Sequence, residues 1–264
     1  MEGKREVTNS EWTSDEMMTI AASRMLQNGA ICFVGIGLPS AAANLARATH
    51  APDVVLIYES GTIGAKPDML PLSIGDGELA ETADTVVSTP EIFRYWLQGG
   101  RVDVGFLGAA QLDRFGNINT TVIGDYGSPK VRLPGAGGAP EIAASAGEVL
   151  IILRQSQRTF VDELAFVTSA GHANGGNWRA EAGLSGKGPT AIITDIGILR
   201  PHPKTRELML TDLHPGHSIP EAEEATGWSL KHAHQCVETL PPSAAELIAL
   251  RDLNERTARA HRVG

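Results

Sequence analysis

Residues 30–58 read AICFVGIGLPSAAANLARATHAPDVVLIY, and this stretch decides the fold class. It holds two apolar runs, at 30–37 and 54–58, on either side of an alanine-rich segment that is typical of a helix. Apolar runs without alternation are typical of strands that are covered on both faces. Pro39 and Ser40 stand where the intervening helix is expected to begin. The order strand, helix, strand predicts an α/β fold with a largely parallel sheet covered by helices.

The flanking sequence continues this alternation of helices and strands. Ser14 is expected to cap a first helix, which Asn28-Gly29 ends because glycine tolerates the left-handed cap position. Further helices are expected in EIFRYWLQGG (91–100), EIAASA (141–146) and AAELIALRDLNERTARAHR (244–262), and strands in RVDVGFLGA (101–109), EVLIIL (148–153), TAIITDIGIL (190–199) and RELMLTDL (206–213), the last two as a pair. Since no repeat or linker interrupts them, we expect a polar arm over 1–13 and one domain over 14–264.

The composition excludes several classes of protein. Apolar residues make up 42% of the 264 residues, which argues against a disordered chain. The formal net charge of −9 argues against non-specific nucleic-acid binding. The N-terminal sequence lacks the apolar core of a signal peptide, and no apolar run has the length of a membrane span. We therefore expect a soluble cytoplasmic protein that contacts neither nucleic acid nor membrane.

A metal site is not expected either. Cys32 and Cys236 are too few for a disulfide framework or a thiolate metal site. The histidine pairs in His214–His217 and His232–His234 lack a third ligand at a convincing spacing.

Glu59 is the first candidate for chemistry, because it follows directly on the second apolar run. Ligands of open α/β sheets bind beyond the carboxyl ends of the strands. Ser60-Gly61 comes next, and glycine at this place lets the backbone turn sharply beside a substrate. A solvated acid in a strand-to-loop turn is the alternative, and position alone does not decide between the two.

The second candidate is the glycine-rich segment LPGAGGAPEI at 133–142. Gly135, Gly137 and Gly138 let the backbone approach a ligand without side chains in the way. A helix is expected directly afterwards, and successive N–H groups at such a place can hold a carboxylate, a phosphate or the oxyanion of a tetrahedral intermediate. No Lys-Ser/Thr follows, which excludes a Walker A loop. A turn that only permits close packing stays open as the alternative.

The third candidate is GIGLPS at 35–40, which resembles part of a dinucleotide-binding fingerprint. Ser40 occupies the place of the third glycine, and Glu59 stands close to where that fold carries its ribose-binding acid. A nicotinamide-dependent dehydrogenase, or a binding module without catalysis, therefore stays open as an alternative.

Other side chains near these segments are weaker candidates. Ser60 lacks the Gly-x-Ser-x-Gly context of a nucleophile elbow. Lys66, Lys130 and Arg132 flank the glycine-rich segments and could receive phosphates, although solvated surface cations need no function.

Taken together, these segments resemble the B subunit of class I CoA-transferases, from about residue 14 to the C-terminal helix. The matching motifs occur in the family's order and are GIGLP (35–39), ESG (59–61), QLDRFGNIN (111–119), GAGGA (135–139) and LHPG (213–216). The resemblance is to the glutaconate CoA-transferase branch. Within that branch, VVLIYESGTIGAKP, LSIGDGELAETADTVV, EIFRYWLQGGRVDVGFLGAAQLDRFGNINTTVIGDY and KVRLPGAGGAPEIA closely resemble B subunits of the 3-oxoadipate type.

The resemblance implies a CoA-transferase fold of the NagB/RpiA-like type and assigns roles to particular residues. The family's nucleophilic glutamate corresponds to Glu59. Tyr58 and Ser60 stand where many relatives carry Ser and Asn, a variation that leaves the acid and Gly61 in place. The family's oxyanion and CoA-binding segment corresponds to Gly135, Gly137, Gly138 and Ala139. Residues implied to lie near substrate or CoA are Gly37, Ser60, Gly61, Lys66, Gln111, Asn117 and Asn119.

The resemblance also implies partners and a reaction. The family is usually a complex of A and B subunits with the site at their interface, and no A-type glycine motif is evident here, so a separate A subunit is expected. The implied reaction moves CoA from succinyl-CoA to 3-oxoadipate through a glutamyl-CoA thioester. CoA and acyl-CoA enter as substrates together with a dicarboxylic acid, and no cofactor is bound permanently. An acyl-CoA hydrolase in which Glu59 activates water, and a transferase for another acid such as glutaconate, stay open as alternatives.

Overall fold

The computed structural model describes residues 12–262, so most of the polar arm expected over 1–13 lies outside the described residues. The helices are α1 (Ser14–Ser23), α2 (Leu38–Ala48), α3 (Gly77–Glu81), α4 (Thr89–Glu91), α5 (Ala139–Ser145), α6 (Trp178–Glu181), α7 (Ile219–Glu224) and α8 (Ala244–Ala260), together with a π-helix over Ile92–Leu97. None of the helices in this part of the chain has the length and apolar character needed to cross a membrane.

Fourteen strands are distributed over three sheets in the described part of the chain. They are β1 (Ile31–Phe33), β2 (Val55–Ile57), β3 (Thr62–Ile63), β4 (Thr85–Val86), β5 (Val104–Leu107), β6 (Gln111–Leu112), β7 (Ile118–Asn119), β8 (Val122–Gly124), β9 (Pro129–Arg132), β10 (Glu148–Ile152), β11 (Pro189–Ile193), β12 (Gly197–Pro201), β13 (Leu208–Leu213) and β14 (Lys231–Glu238). The large sheet has the strand order β14-β13-β12-β11-β10-β5-β1-β2-β3-β4, and β6–β7 and β8–β9 form separate pairs.

The centre of the large sheet is parallel, which confirms the predicted α/β fold with a largely parallel sheet. β2, β1, β5, β10 and β11 run in one direction, and Cys32 on β1 lies opposite both Leu56 on β2 and Val104 on β5. Antiparallel pairs extend the sheet on both sides, between β2, β3 and β4 and between β11, β12 and β13. The carboxyl ends of the five parallel strands therefore meet at one edge, where such sheets bind ligands.

Two apolar layers cover the faces of this sheet. Leu56 on β2 packs into the layer formed by α1 and α2, in which Met18 is buried. The next residue, Ile57, points to the other layer, which contains Ile142 of α5 and Leu97 of the π-helix. Each such side chain stabilises the fold by roughly 1.5–3 kcal/mol on full burial. Burial on both faces is the reason for the continuous apolar runs in β1 and β2.

The first helix begins one residue earlier than predicted. Thr13, not Ser14, is its N-cap: the Thr13 side chain accepts from the Glu16 N–H at 3.2 Å, and the Glu16 carboxylate accepts from the Thr13 N–H at 2.7 Å. This reciprocal capping box satisfies two N–H groups, which a cap at Ser14 would leave without a partner. The prediction of Ser14 as the cap was therefore wrong.

The predicted strand at 190–199 is also wrong, because a tight turn divides it into parts of β11 and β12. The Thr194 hydroxyl accepts from the N–H groups of Ile196 at 3.1 Å and Gly197 at 3.0 Å and so stabilises the turn. β12 then pairs antiparallel with β13, which agrees with a pair of late strands. Thr194 and Asp195 interrupt the apolar pattern at the turn, a local signal that the predicted single strand overlooked.

Two further elements differ from the prediction or were not predicted. The segment EIFRYWLQGG forms a π-helix in its middle, in which the Gln98 N–H donates to the Phe93 carbonyl oxygen at 2.8 Å. β14 contains His232 and His234 and has a mostly exposed, polar sequence. A polar strand at the edge of a sheet lacks the apolar run or alternation by which strands are predicted.

Candidate active site

Glu59 lies in the tight turn that joins β2 to β3, at the carboxyl end of β2. The Gly61 N–H donates to the Tyr58 carbonyl oxygen at 3.0 Å, and the Tyr58 N–H donates to the Thr62 carbonyl oxygen at 3.1 Å. These bonds close a β-turn with Glu59 and Ser60 as its two central residues. The backbone on both sides of the acid is therefore fixed.

Gly61 is required by a close approach of two backbone segments. Its φ is +109°, and a Cβ at this position would lie 1.9 Å from the Val87 carbonyl oxygen. The Val87 N–H donates to the Gly61 carbonyl oxygen at 2.9 Å. Because only glycine fits this contact, the turn that carries Glu59 is held directly against the segment after β4.

A buried hydrogen-bond network stabilises the turn that carries Glu59. The Tyr58 side chain is fully buried, and its hydroxyl contacts the Ser40 Oγ at 3.2 Å and accepts from the Asn44 Nδ2 at 3.4 Å. Burial raises the pKa of the Tyr58 phenol, so the hydroxyl stays protonated. Since Ser40 and Asn44 belong to α2, the network connects the Glu59 turn to that helix.

A cavity of about 260 Å³ opens beside Glu59. Its wall consists of the ends of β1 and β5, the start of α2 with Pro39, the side chain of Ile74, and the segment Ala136–Ala139. Drug-sized ligands occupy pockets of about 300–1,000 Å³. The cavity therefore has room for a small acid or for the acyl end of a larger molecule.

The glycine-rich loop approaches Glu59 across this cavity. A Cβ at Gly138 would lie 3.2 Å from the Glu59 Oε2 and 2.6 Å from the Phe93 ring, and a Cβ at Gly137 would lie 3.9 Å from the same oxygen. Any side chain at Gly138 would therefore enter the site or displace the ring.

Two backbone N–H groups of the glycine-rich loop and the Glu59 carboxylate have no hydrogen-bond partner within the described residues. The N–H groups of Gly137 and Gly138 donate to no other residue within 12–262, and the half-buried Glu59 carboxylate accepts from none of them. Free N–H donors beside a free carboxylate are what a nucleophile and the oxyanion of its adduct require.

The structure divides the residues of the predicted glycine sites into two groups. Gly137, Gly138 and Ala139 border the cavity together with Glu59, and their expected role in oxyanion and CoA binding stays a prediction. Gly37 is the N-cap of α2 with a φ of +83°, and the Gly135 N–H donates to the Thr120 carbonyl oxygen at 2.8 Å. Gly37 and Gly135 thus shape the ends of the cavity-forming segments and lie outside its wall.

Asn117 uses its whole amide group within the protein. Its Nδ2 donates to the Asp113 Oδ2 at 2.7 Å and to the Ala173 carbonyl oxygen at 2.8 Å. Its Oδ1 accepts from the N–H groups of Gly171 at 2.9 Å and Ala173 at 3.0 Å. Burial raises the pKa of Asp113 in this cluster. Asn117 is therefore a buried hub, and its expected contact with substrate or CoA stays a prediction.

Asn119 and Gln111 connect to the glycine-rich loop through the backbone. The Asn119 Nδ2 donates to the Gln111 Oε1 at 2.9 Å and to the Val122 carbonyl oxygen at 2.7 Å. The adjacent Thr120 carbonyl oxygen accepts from Gly135. Neither amide side chain borders the cavity, so their expected proximity to the substrate also stays a prediction.

Lys66 and Ser60 were also expected near substrate or CoA, and the structure places them in different surroundings. The Lys66 Nζ contacts the Asp84 Oδ1 at 2.7 Å in an exposed ion pair outside the cavity wall. The Ser60 Oγ is buried and has no hydrogen-bond partner within the described residues.

The histidine pairs hold no metal cluster. The buried His214 contacts the Thr239 Oγ1 at 2.8 Å and the Thr194 carbonyl oxygen at 2.9 Å, and burial lowers its pKa. Within residues 12–262 no group of three or more His, Cys, Asp or Glu side chains is arranged to hold a metal ion.

Two parts of the cavity wall and one neighbouring ring were missed by reasoning from the sequence. Ile74 and the segment Phe106–Gly108 at the end of β5 line the cavity, and Phe93 packs against Gly138. Position at the carboxyl end of a central strand is a signal that could have indicated Phe106–Gly108. No local signal distinguishes Phe93 or Ile74 from ordinary apolar residues.

This chain is similar to known proteins over most of its length. The family model described as Coenzyme A transferase matches residues 15–221. The B subunit of the 3-oxoadipate CoA-transferase of Pseudomonas knackmussii is 69% identical over 96% of this chain and 97% of its own length. The B subunit of the glutaconate CoA-transferase of Acidaminococcus fermentans is 33% identical over 92% of each chain.

A solved structure supports the same assignment. The crystal structure of the glutaconate coenzyme A-transferase from Acidaminococcus fermentans superimposes with a TM-score of 0.87 at 31% identity, over 94% of this chain and 97% of that chain. The α/β architecture and the sequence matches over most of the chain lead to one conclusion: the chain belongs to the coenzyme A transferase family.

Proposed function

We propose that this chain is the B subunit of a transferase that moves CoA from succinyl-CoA to 3-oxoadipate, giving 3-oxoadipyl-CoA and succinate. The observation that carries the proposal is the 69% identity, over nearly the whole of both chains, to a protein named for 3-oxoadipate CoA transfer. The meeting of Glu59 and the glycine-rich loop in one cavity supports the transferase chemistry.

Glu59 is the proposed nucleophile. Its carboxylate attacks the thioester carbonyl of succinyl-CoA, which gives a mixed anhydride and releases CoA thiolate. The thiolate then attacks the glutamyl carbonyl, so that a glutamyl-CoA thioester forms and succinate leaves. The carboxylate of 3-oxoadipate reverses both steps and regenerates the free acid. This exchange keeps the thioester energy on the enzyme.

Each acyl transfer passes through a tetrahedral oxyanion, which fixed N–H donors stabilise. Gly137 and Gly138 are the proposed donors, because their N–H groups have no acceptor within the described residues and lie beside the carboxylate. The wall residues Phe106, Pro39 and Ile74 are apolar and reduce access of water to the thioester.

Partners and compartment follow from the same proposal. A separate A subunit completes the enzyme, as the naming of the relatives as B subunits suggests. CoA and its thioesters act as substrates, and no permanently bound cofactor takes part. We place the complex in the cytoplasm, where the two free thiols of Cys32 and Cys236 would stay reduced.

The test uses the complex with the A subunit of the Pseudomonas knackmussii enzyme. Glu59→Gln should lower CoA transfer by more than about 10⁴-fold, because the covalent step is lost. Mass spectrometry of wild-type complex treated with succinyl-CoA should find the CoA adduct on the peptide that contains Glu59. Glu81→Gln, in an exposed acid of α3, is the matched control and should keep full activity.

The same assay separates the alternatives. Without an acceptor acid, a hydrolase releases CoA continuously, whereas the proposed transferase stops after one equivalent per site. A panel of dicarboxylic and oxo acids, including glutaconate, identifies the acceptor. Continuous CoA release, or an adduct-free Glu59 peptide while product forms, would refute the proposed mechanism.

A further inference from the structure

Another cavity, of about 230 Å³, opens at the amino ends of β10 and β11, on the edge of the sheet away from Glu59. Lys187 in its wall stands shortly before β11, and the Lys187 N–H donates to the carbonyl oxygen of Gly147, directly before β10, at 2.8 Å. The described wall contains Arg179, Lys187 and Arg206 and no Asp or Glu. We call this space the basic cavity. In a chain whose net charge is −9, cations gathered without acids attract an anion.

The Arg179 guanidinium is buried without an acidic partner. Arg179 is 7% exposed, and its Nε donates to the Gly186 carbonyl oxygen at 3.0 Å. Its two terminal nitrogens donate to the carbonyl oxygens of Gly171 at 2.8 Å and Ala143 at 2.9 Å. Burial lowers the pKa of this guanidinium, and no ion pair within the described residues offsets its charge. Because buried charged groups are ordinarily paired, this positive charge acts on the cavity that Arg179 lines.

Lys187 and Arg206 bring further positive charge to the basic cavity. Lys187 is exposed and Arg206 is half-buried, and neither side chain makes a hydrogen bond or an ion pair within residues 12–262. Arg206 has a φ of +64°, a left-handed conformation that residues with a Cβ rarely adopt. Two cationic side chains are therefore available to a ligand, in a wall that offers them no counter-charge.

His172 adds a hydrogen-bond acceptor to the same wall. The residue is 3% exposed, and its Nε2 lies 2.9 Å from the Pro189 carbonyl oxygen, which can only accept, so Nε2 carries a proton. Burial lowers the pKa of the imidazole, and the charges of Arg179 and Arg206 lower it further, which favours the neutral ring. The Nδ1 of a neutral ring of this tautomer is an acceptor, and it has no partner within the described residues. It is not sealed from solvent either, so the cavity is the space that it faces.

The combination of positive charge and one neutral acceptor selects the chemistry of a ligand. Carboxylates and sulfate have only acceptor oxygens near neutral pH, and such an oxygen would meet the lone pair of the His172 Nδ1. Hydrogen phosphate has anionic oxygens for Lys187 and Arg206 and also a hydroxyl that donates. The cavity volume of about 230 Å³ lies below the range of about 300–1,000 Å³ that drug-sized ligands need, and suits a small anion.

We propose that the basic cavity binds a phosphate group that keeps one hydroxyl. Its anionic oxygens contact the side chains of Lys187 and Arg206, and its hydroxyl donates to the His172 Nδ1. Arg179 acts through its charge, because its N–H groups are held by carbonyl oxygens. The phosphate group belongs either to the free inorganic ion or to a phosphate monoester.

Isothermal titration calorimetry of the full chain with inorganic phosphate, at about pH 7, tests the site. Phosphate should bind with a dissociation constant below about 1 mM. Lys187→Gln and Arg206→Gln should each weaken binding by at least about tenfold, because each removes a charge-assisted hydrogen bond. Lys204→Gln is the matched control, since Lys204 is an exposed lysine outside the cavity wall, and it should bind within about twofold of wild type.

The role of His172 is tested by comparing phosphate with sulfate. Sulfate should bind wild-type protein at least about tenfold more weakly, because it leaves the Nδ1 opposite an acceptor oxygen. His172→Gln keeps a donor for the Pro189 carbonyl oxygen and has no ring nitrogen at the place of Nδ1. In this variant the two anions should bind within about twofold of each other. Thermal unfolding establishes that the variant is folded, and the wild-type preference for phosphate tests the proposal without any variant.

Competition distinguishes the two sources of the phosphate group. Displacement of bound phosphate by AMP, but not by adenosine, would show that a phosphate monoester fits, and displacement by neither would identify the free ion. Both results support the site. A dissociation constant above about 1 mM, unchanged binding by both Lys187→Gln and Arg206→Gln, or equal binding of sulfate by wild-type protein would each overturn the proposal. None of these outcomes bears on Glu59, so the proposed function stands or falls separately.

Discussion

The Glu59 cavity and the cluster of residues around Asn117 have similar components but differ in how far their polar groups are hydrogen-bonded. In both, a glycine-containing loop comes close to a polar side chain. Around Asn117, every amide atom has a partner, and the loops at Gly171 and Ala173 close over it. Around Glu59, the carboxylate and the N–H groups of Gly137 and Gly138 have no partner within the described residues. The paired groups around Asn117 stabilise the fold, whereas the unpaired groups beside Glu59 contribute no such hydrogen bond to it.

The first test of this comparison removes the side-chain amide of Asn117, which is fully hydrogen-bonded. Asn117→Ala should lower the free energy of unfolding by about 3 kcal/mol, because two backbone N–H groups, a carboxylate and a carbonyl oxygen lose their partner in a buried place. Urea unfolding measures the change. Asn28→Ala, which removes an exposed pair of bonds to Asp53, is the control and should cost less than about 1 kcal/mol. Equal costs would mean that the Asn117 cluster is no stronger than a surface contact.

The second test adds a methyl group at Gly138, next to the Glu59 carboxylate. Gly138→Ala should lower turnover about a hundredfold, equivalent to about 2.7 kcal/mol, because the new methyl group meets the Glu59 carboxylate. The backbone at Gly138 has a φ of −81°, which alanine adopts without strain. In the double variant with Phe93→Ala, the clash with the ring is relieved, so stability should recover while turnover stays low. Recovery of both would show that the loop only packs against the ring.

A third prediction concerns a paired carboxylate outside the site. The Arg24 guanidinium holds the pKa of Glu246 at about 2, below its ordinary value of 4.5, through bonds of 2.7 Å to both oxygens. Because the folded-state pKa is lowered, the pair stabilises the protein above pH 4.5 and loses this effect as the pH falls from about 4.5 towards 2.

Glu246→Gln should therefore cost about 2 kcal/mol at pH 7 and progressively less as the pH falls towards 3. Guanidinium unfolding at a series of pH values measures the difference from wild type. Asp252→Asn is the control, because it removes an exposed ion pair between Asp252 and Arg256, which are one helical turn apart. It should lower the free energy of unfolding by less than about 0.5 kcal/mol at any pH. A pH-independent cost for Glu246→Gln would exclude the ion pair as its cause.

The smallest effect is expected for Tyr58, whose buried hydroxyl lies next to the turn that carries Glu59. Tyr58→Phe removes the hydroxyl that contacts Ser40 and Asn44 and should lower the free energy of unfolding by about 1 kcal/mol. Thermal unfolding measures this change. Tyr95→Phe, in an exposed tyrosine of the π-helix, should leave stability unaltered. If Tyr58→Phe and Tyr95→Phe changed the free energy of unfolding equally, the buried network would make no contribution to stability.

Much of the site's framework could be predicted from the sequence, because it lies where local signals are strong. The apolar runs at β1 and β2 predict the parallel centre, and the position of Glu59 after β2 follows from it. The glycines at 137 and 138 indicate a close approach without saying to what. The structure supplies the missing partner, since a Cβ at Gly138 would come 3.2 Å from the Glu59 Oε2.

Other features depend on contacts between distant segments and could not be predicted. The turn at Thr194 is stabilised by the hydroxyl of that side chain, and the two polar residues Thr194 and Asp195 were too short an interruption of the apolar pattern for a turn to be predicted. The role of Phe93 depends on a π-helix that places its ring against Gly138, and no sequence rule identifies such a winding here. Asn117 was expected near a ligand, whereas its amide is fully used by residues far along the chain.

The strand order has a consequence for synthesis on the ribosome. β5 lies between β1 and β10, and the loop that reaches Glu59 joins β9 to α5, directly before β10 in the sequence. A chain whose translation stops before β10 already contains Glu59, but it lacks the strand that pairs with β5 on the side away from β1. The framework of the candidate site is therefore complete only after more than half of the 264 residues have been synthesised.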